Sequence, residues 1–137
     1  MLMQLDFTSD LPIYKQIHDQ IVMGIAGGKL QSGERLPTVR ALANETGVNV
    51  MTINKAYQFL KQEGYITADR RGGTVVAGNP AAVPCGKTLS ELRMPVASAK
   101  LSGMTLDEWL GICRQAYDCL NNPEINAESN KEKKEES

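Results

Sequence analysis

Aromatic side chains are scarce in this sequence, 5 % of the chain with a single tryptophan. A core must therefore rest on Leu, Ile, Val, Met and Ala. Histidine occurs once, as His18, and the three cysteines, Cys85, Cys113 and Cys119, contain no CxxC pair. An odd, scattered set argues against a disulfide framework, and no Cys/His cluster reaches the ligand count of a structural zinc site. Free thiols are expected, with no metal and no cofactor. Cys113 and Cys119 fall on different faces of a helix turning about 100° per residue, so a redox pair between them could join only two subunits. His18 has no second ligand nearby and reads as a surface or partly packed imidazole. No apolar run approaches the ~18 residues of a membrane span, and no basic stretch followed by an apolar one opens the chain. The expectation is a cytoplasmic protein without a signal peptide. An excess of one charge is missing too, the net charge being −1, so any face for a polyanion must be a local arrangement. There is no nucleophile–base pair and no phosphate-cradling glycine loop, and Asp107 and Glu108 suit a helix first turn on dipole grounds alone. An enzyme is not expected.

What is present is ordinary globular material, 137 residues with 42 % hydrophobic and 23 % charged side chains. Ile13, Ile17, Ile21 and Ile25 recur every four residues, widened by Tyr14 and Val22, which predicts one buried helical face. Ser9 or Asp10 can cap that helix, Pro12 suits its first turn, and Gly27-Gly28 stops it. Residues 31–36 read as a turn-rich connection closed by Pro37. Thr38 is a plausible cap for a short helix carrying Val39, Leu42 and Ala43, which ends at Gly47. A third helix is expected over residues 50–63, with Ile53, Ala56, Tyr57 and Leu60 inward and Gly64 as its stop. Residues 65–68 and 74–77 read as two short strands around the loop Asp69-Arg70-Arg71-Gly72-Gly73.

Residues 79–87 contain Pro80, Pro84 and Gly86 and are expected to be a linker. A helix over 88–101 follows, which Pro95 either kinks or begins. Thr105 and Glu108 form a capping box ahead of a stripe of Leu106, Trp109, Leu110, Cys113, Ala116, Tyr117 and Leu120. Residues 123–137 are polar and read as a disordered tail.

The succession of helix, short helix, tight turn, helix and hairpin carries the functional signal. Two helices crossing at about 90–120° over a short turn need a small residue where they touch. Ala43 supplies it, Gly47 supplies the turn, and Val48 and Ile53 plug the angle. Asn49, Met51, Thr52, Asn54, Lys55 and Gln58 are left on the outer face of the third helix, polar groups in the main, suited to base edges and phosphates. An ordinary solvated face on a three-helix bundle is the plainer alternative. Arg70 and Arg71 beside two glycines would form a wing, since glycine lets a backbone come close to a phosphate.

Residues 11–77 resemble the DNA-binding domain of the GntR family of bacterial regulators. The matching stretches are Pro12-Ile13-Tyr14-Lys15-Gln16-Ile17, Gly33-Glu34-Arg35-Leu36-Pro37-Thr38-Val39-Arg40, Leu42-Ala43, Gly47-Val48-Asn49, Thr52-Ile53-Asn54-Lys55-Ala56-Tyr57, Leu60, Glu63-Gly64-Tyr65-Ile66 and Arg71-Gly72-Gly73-Thr74-Val75-Val76. The resemblance implies DNA contacts at Thr38 and Arg40, at Asn49, Thr52, Asn54 and Lys55, and at the wing residues Arg70, Arg71, Gly72, Gly73 and Thr74. Thr38 stands where the family usually has Ser. Val50 and Met51 stand where some members carry Arg, Ser or Thr, which leaves the bases that are read open. Arg35 is either a phosphate contact or a packing residue whose charge snorkels out.

The short remainder after the wing resembles the YtrA-type subfamily, whose C-terminal helices dimerise and whose genes often accompany ABC-transporter operons. The expected fold is mainly α with a small β-hairpin wing: a winged helix-turn-helix over 1–78, a linker over 79–87, a two-helix dimerisation region over 88–122 and a tail over 123–137. The stripe Leu106, Trp109, Leu110, Cys113, Ala116, Tyr117 and Leu120 is its expected interface. The expected function is that of a homodimeric repressor binding an inverted repeat in double-stranded DNA. The alternative is a winged-helix module used for protein contact.

Overall fold

In the computed structural model, which describes residues 3–78 and 85–121, the chain divides after Ala81 into two units. The first contains helix α1 (Ile13–Ala26), strand β1 (Arg35–Leu36), helices α2 (Val39–Thr46) and α3 (Val50–Gln62), and strands β2 (Ile66–Ala68) and β3 (Thr74–Val76). The isoleucine period of α1 does what its spacing requires. Ile17 and Ile21 are wholly buried, while Ile13, Tyr14, Val22 and Ile25 pack half-buried against the same core. Leu42, Ile53, Ala56, Tyr57, Leu60, Ile66 and Val76 complete it.

The start of α1 corrects the expectation from the sequence. Neither Ser9 nor Asp10 caps the helix; the cap position is Pro12, with no side-chain cap bond, and the Ser9 hydroxyl accepts from the Leu11 amide instead. The reason lies inside the helix. Gln16, nearly buried, donates to the carbonyls of Asp6 (2.9 Å) and Leu11 (2.8 Å) and accepts from the Asp6 amide (2.9 Å). One turn on, Gln20 pairs in the same two-way manner with the backbone of Gln4. Two glutamines thus fasten the N-terminal segment along α1.

The turn between α2 and α3 follows the expected chemistry. Thr38 Oγ1 accepts from the Ala41 amide at 3.0 Å. Gly47 has φ +74°, a left-handed conformation that costs a residue without Cβ little, and its amide closes on Ala43 O. After α3 the chain leaves through Gly64 (φ +85°), with Tyr65 N–H donating to Leu60 O and Gly64 N–H to Lys61 O. That double closure satisfies the last carbonyls of the helix.

The sheet is antiparallel with order β1-β3-β2, pairing Leu36 with Thr74 and Ile66 with Val76. Residues 31–36 are therefore not all connection: Arg35 and Leu36 form an edge strand that makes the wing three-stranded. β2 and β3 are each one residue shorter than expected, although Ala77 N–H still donates to Tyr65 O.

The second unit consists of α4 (Cys85–Leu101) and α5 (Leu106–Asn121). Helix α4 begins at Cys85, so the last three residues assigned to the linker are helical. Pro95 lies inside the helix and does not begin it. Gly103 (φ +85°) ends α4, with Met104 N–H closing on Ala99 O, and Thr105 Oγ1 accepts the Glu108 amide at 3.2 Å, which is the threonine half of the expected capping box. Residues 79–84, which hold most of the expected linker, and the expected tail over 123–137 lie outside the described residues. Among the described residues, no helix is long and apolar enough to cross a membrane.

Candidate nucleic-acid interface

The α2–α3 corner is pinned from within by a tyrosine. Tyr57 is buried in α3, and its hydroxyl donates to Pro37 O at 2.7 Å, just ahead of α2. Burial disfavours the phenolate and pushes the Tyr57 pKa up to about 12. With the corner fixed, α3 presents Val50, Met51, Asn54, Lys55 and Gln58 to solvent, and Thr52 is half-buried.

Several expected contact residues have local duties as well. Asn49 Oδ1 caps α3 by accepting the Met51 amide at 2.8 Å, which leaves the amide nitrogen of the side chain as its donor. Thr38 caps α2, and Arg40 projects from that helix exposed. The Lys55 ammonium stands 4.1 Å from the centroid of the Tyr14 ring, which is itself stacked on Phe59 at 5.7 Å. A cation over an aromatic face is held electrostatically without being desolvated. Helix α1 therefore sets the resting direction of a lysine on α3, a link with no local sequence signal.

The wing is built on its turn. Asp69 N–H donates to Gly73 O, Gly72 N–H donates to Asp69 O, and both glycines have positive φ (+94° and +82°). Arg70 and Arg71 are exposed on this loop, and Thr74 is half-buried at the start of β3. From β1, Arg35 reaches across the sheet: one guanidinium nitrogen donates to Gly72 O at 2.9 Å and another to Asp69 Oδ2 at 3.0 Å. A Cβ on Gly73 would come within 3.1 Å of that guanidinium. The sequence offered Arg35 a phosphate contact or helix packing; beside these, its bonds to Gly72 O and Asp69 brace the wing. Sequence reasoning missed this because the brace depends on β1 pairing with β3.

His18 is the partly packed imidazole expected. Its Nε2 lies 2.6 Å from Glu63 Oε2 and its Nδ1 2.8 Å from Asp19 Oδ1, tying α1 to the end of α3. Among the described residues no group of His, Cys, Asp and Glu is arranged to hold a metal ion. On α5, Leu106, Leu110, Cys113, Ala116 and Tyr117 are exposed, and Trp109 and Leu120 are half-buried. Among the described residues of this unit, only Ala99 is buried.

The family pattern for "Bacterial regulatory proteins, gntR family" matches residues 13–76, from the start of α1 to the end of β3. The HTH-type transcriptional repressor YtrA of Bacillus subtilis (strain 168) is 34 % identical over 106 residues, covering 77 % of this chain and 78 % of the relative. The HTH-type transcriptional repressor STM4068 of Salmonella typhimurium is 32 % identical over 100 residues, which span 73 % of this chain but 42 % of the longer relative. Among solved structures, YtrA from Sulfolobus acidocaldarius, a GntR-family transcription factor, is 38 % identical with a TM-score of 0.53, over 88 % of this chain and all of the other. The match runs through the short repressor and is not confined to the winged unit, and on that extent the chain belongs to the GntR family of bacterial regulatory proteins.

Proposed function

We propose that the chain is a cytoplasmic, homodimeric transcription repressor that binds an inverted repeat in double-stranded DNA, its own operon being the first target. The observation that carries this reading is the outer face of α3 beside an arginine-bearing wing whose turn is fixed by Arg35. Asn54, Lys55 and Gln58 offer amides and a cation on a helix whose inner face is fully occupied by core. In this reading Arg40 reaches a guanine edge, Asn49 and Thr52 contact bases or backbone, and Arg70 and Arg71 meet phosphates. Lys55 leaves the Tyr14 ring for a phosphate, while Gly72 and Gly73 let the wing backbone approach the groove. The relatives named as repressors support the same assignment.

Dimerisation belongs to this reading because one recognition helix reads few bases. A two-fold pair places two helices on half-sites about one turn (~34 Å) or a multiple apart. The exposed apolar side chains of α5, Leu106 and Tyr117 at about 70 % exposure, supply a surface for it. The test is a footprint on the DNA upstream of the chain's own gene, including any adjoining ABC-transporter genes. Two protected half-sites in inverted repeat are expected; protection of a single asymmetric half-site, or of none, would contradict the reading.

A further inference from the structure

The first turn of α3 exposes two apolar residues where hydrogen-bonding groups are the obvious choice. Met51 is 79 % exposed and Val50 45 %. Neither serves the core, which at this end of α3 is filled by Ile53 and Val48. The side-chain oxygen of the preceding Asn49 is occupied by the Met51 amide. Three residues after Met51, Asn54 restores a polar, exposed side chain. The exposed Met51 side chain adds nothing to the core, and its part in folding is limited to the helix propensity of its residue type.

The major groove narrows what such a side chain can recognise. Base edges there carry hydrogen-bond donors and acceptors, and the only apolar group is the C5-methyl of thymine. Setting a methionine against an amino or carbonyl edge would desolvate that edge without replacing its bonds, so the same side chain also disfavours the wrong base. Its unbranched, polarisable thioether adjusts to the methyl without demanding one rotamer. Recognition helices contact bases with their N-terminal residues, which is where Val50 and Met51 stand.

We propose that Met51, flanked by Val50, is a specificity-determining residue that reads the C5-methyl of one thymine in each half-site. The proposal rests on the DNA-binding reading above and adds the chemistry of one contact to it. The full chain would be used to select duplexes from a pool of random sequence. Each thymine of the recovered sequence would then be replaced singly by deoxyuridine, which removes the methyl and nothing else. Loss of one buried methyl corresponds to about fourfold weaker binding, expected at one thymine per half-site and at no other. Met51→Ala should bind the thymine and uracil duplexes alike at that position, with an unchanged melting temperature because the residue is exposed. A recovered sequence in which no thymine is sensitive to uracil, or a Met51→Ala chain that keeps the sensitivity, would overturn the proposal while leaving DNA binding intact. Failure of the wild-type chain to enrich any sequence would overturn the DNA-binding reading and this proposal with it.

Discussion

Tyr57 and Arg35 hold the two parts of the candidate interface by different physics. The Tyr57 hydroxyl is buried against Pro37 O, so Tyr57→Phe leaves that carbonyl without its donor. A loss of about 1–2 kcal/mol in unfolding free energy is expected by denaturant titration, with the fold retained. The phenol ionises near pH 10 in the unfolded chain and at about 12 in the fold, so its contribution is complete below pH 10. Stability should fall as pH rises from 10 through 12, by roughly 2–3 kcal/mol in all, and Tyr57→Phe should lack this component. Arg35, by contrast, works from the surface, and an exposed ion pair contributes little to stability. Arg35→Ala should leave the melting temperature almost unchanged yet weaken DNA binding by loosening the wing. A lost phosphate contact would lower the salt slope of binding by about 1; a lost brace leaves the slope nearly as it was. Asp69→Asn separates the two roles further. Removing a negative charge near phosphates would tighten binding, whereas breaking the brace weakens it, and weakening is expected.

At the level of elements, the sequence was most legible where burial imposes a period. The isoleucines of α1 and the Ile53, Ala56, Tyr57, Leu60 set of α3 each mark a face that core packing requires, and both helices stand where the spacing put them. The positive-φ glycines at 47, 64 and 72–73 were equally readable, because few other residues take that conformation without strain. β1 was not readable: two residues show no alternation, and their partners on β3 are remote in sequence. The docking of the N-terminal segment was hidden for a related reason, since Gln16 and Gln20 look like surface residues until the backbone they bind is in place. The proline signal at Pro95 could not discriminate between kinking and starting a helix, and the structure gives Pro95 an interior position in α4. Of the candidate site, residue types on α3 and the wing were legible; the partners that orient Arg35 and Lys55 were not, because both lie on other elements.

For the molecule as a whole, large apolar side chains of both α4 and α5 stay exposed within one chain, among them Met94 and Leu101 on α4. Leu106, Leu110 and Tyr117 are exposed, so a two-fold pairing of these helices would cover surface that the single chain leaves wet. Sedimentation at micromolar concentration should give a dimer for the wild-type chain. A Trp109→Ala, Leu110→Ala double variant should dissociate to monomers, since truncating a central interface aromatic typically costs ~2 kcal/mol or more. A wild-type monomer, or a variant dimer as tight as wild type, would remove this interface. Whether the α2–α3 corner reads sequence is decided by the affinities of wild type and Arg40→Ala for the footprinted duplex and a scrambled duplex over a salt series. The footprinted duplex should be bound more tightly at every salt concentration, and Arg40→Ala should lose about 1–3 kcal/mol on it while binding the scrambled duplex nearly as wild type does. Equal affinity of the wild-type chain for the two duplexes would contradict the account.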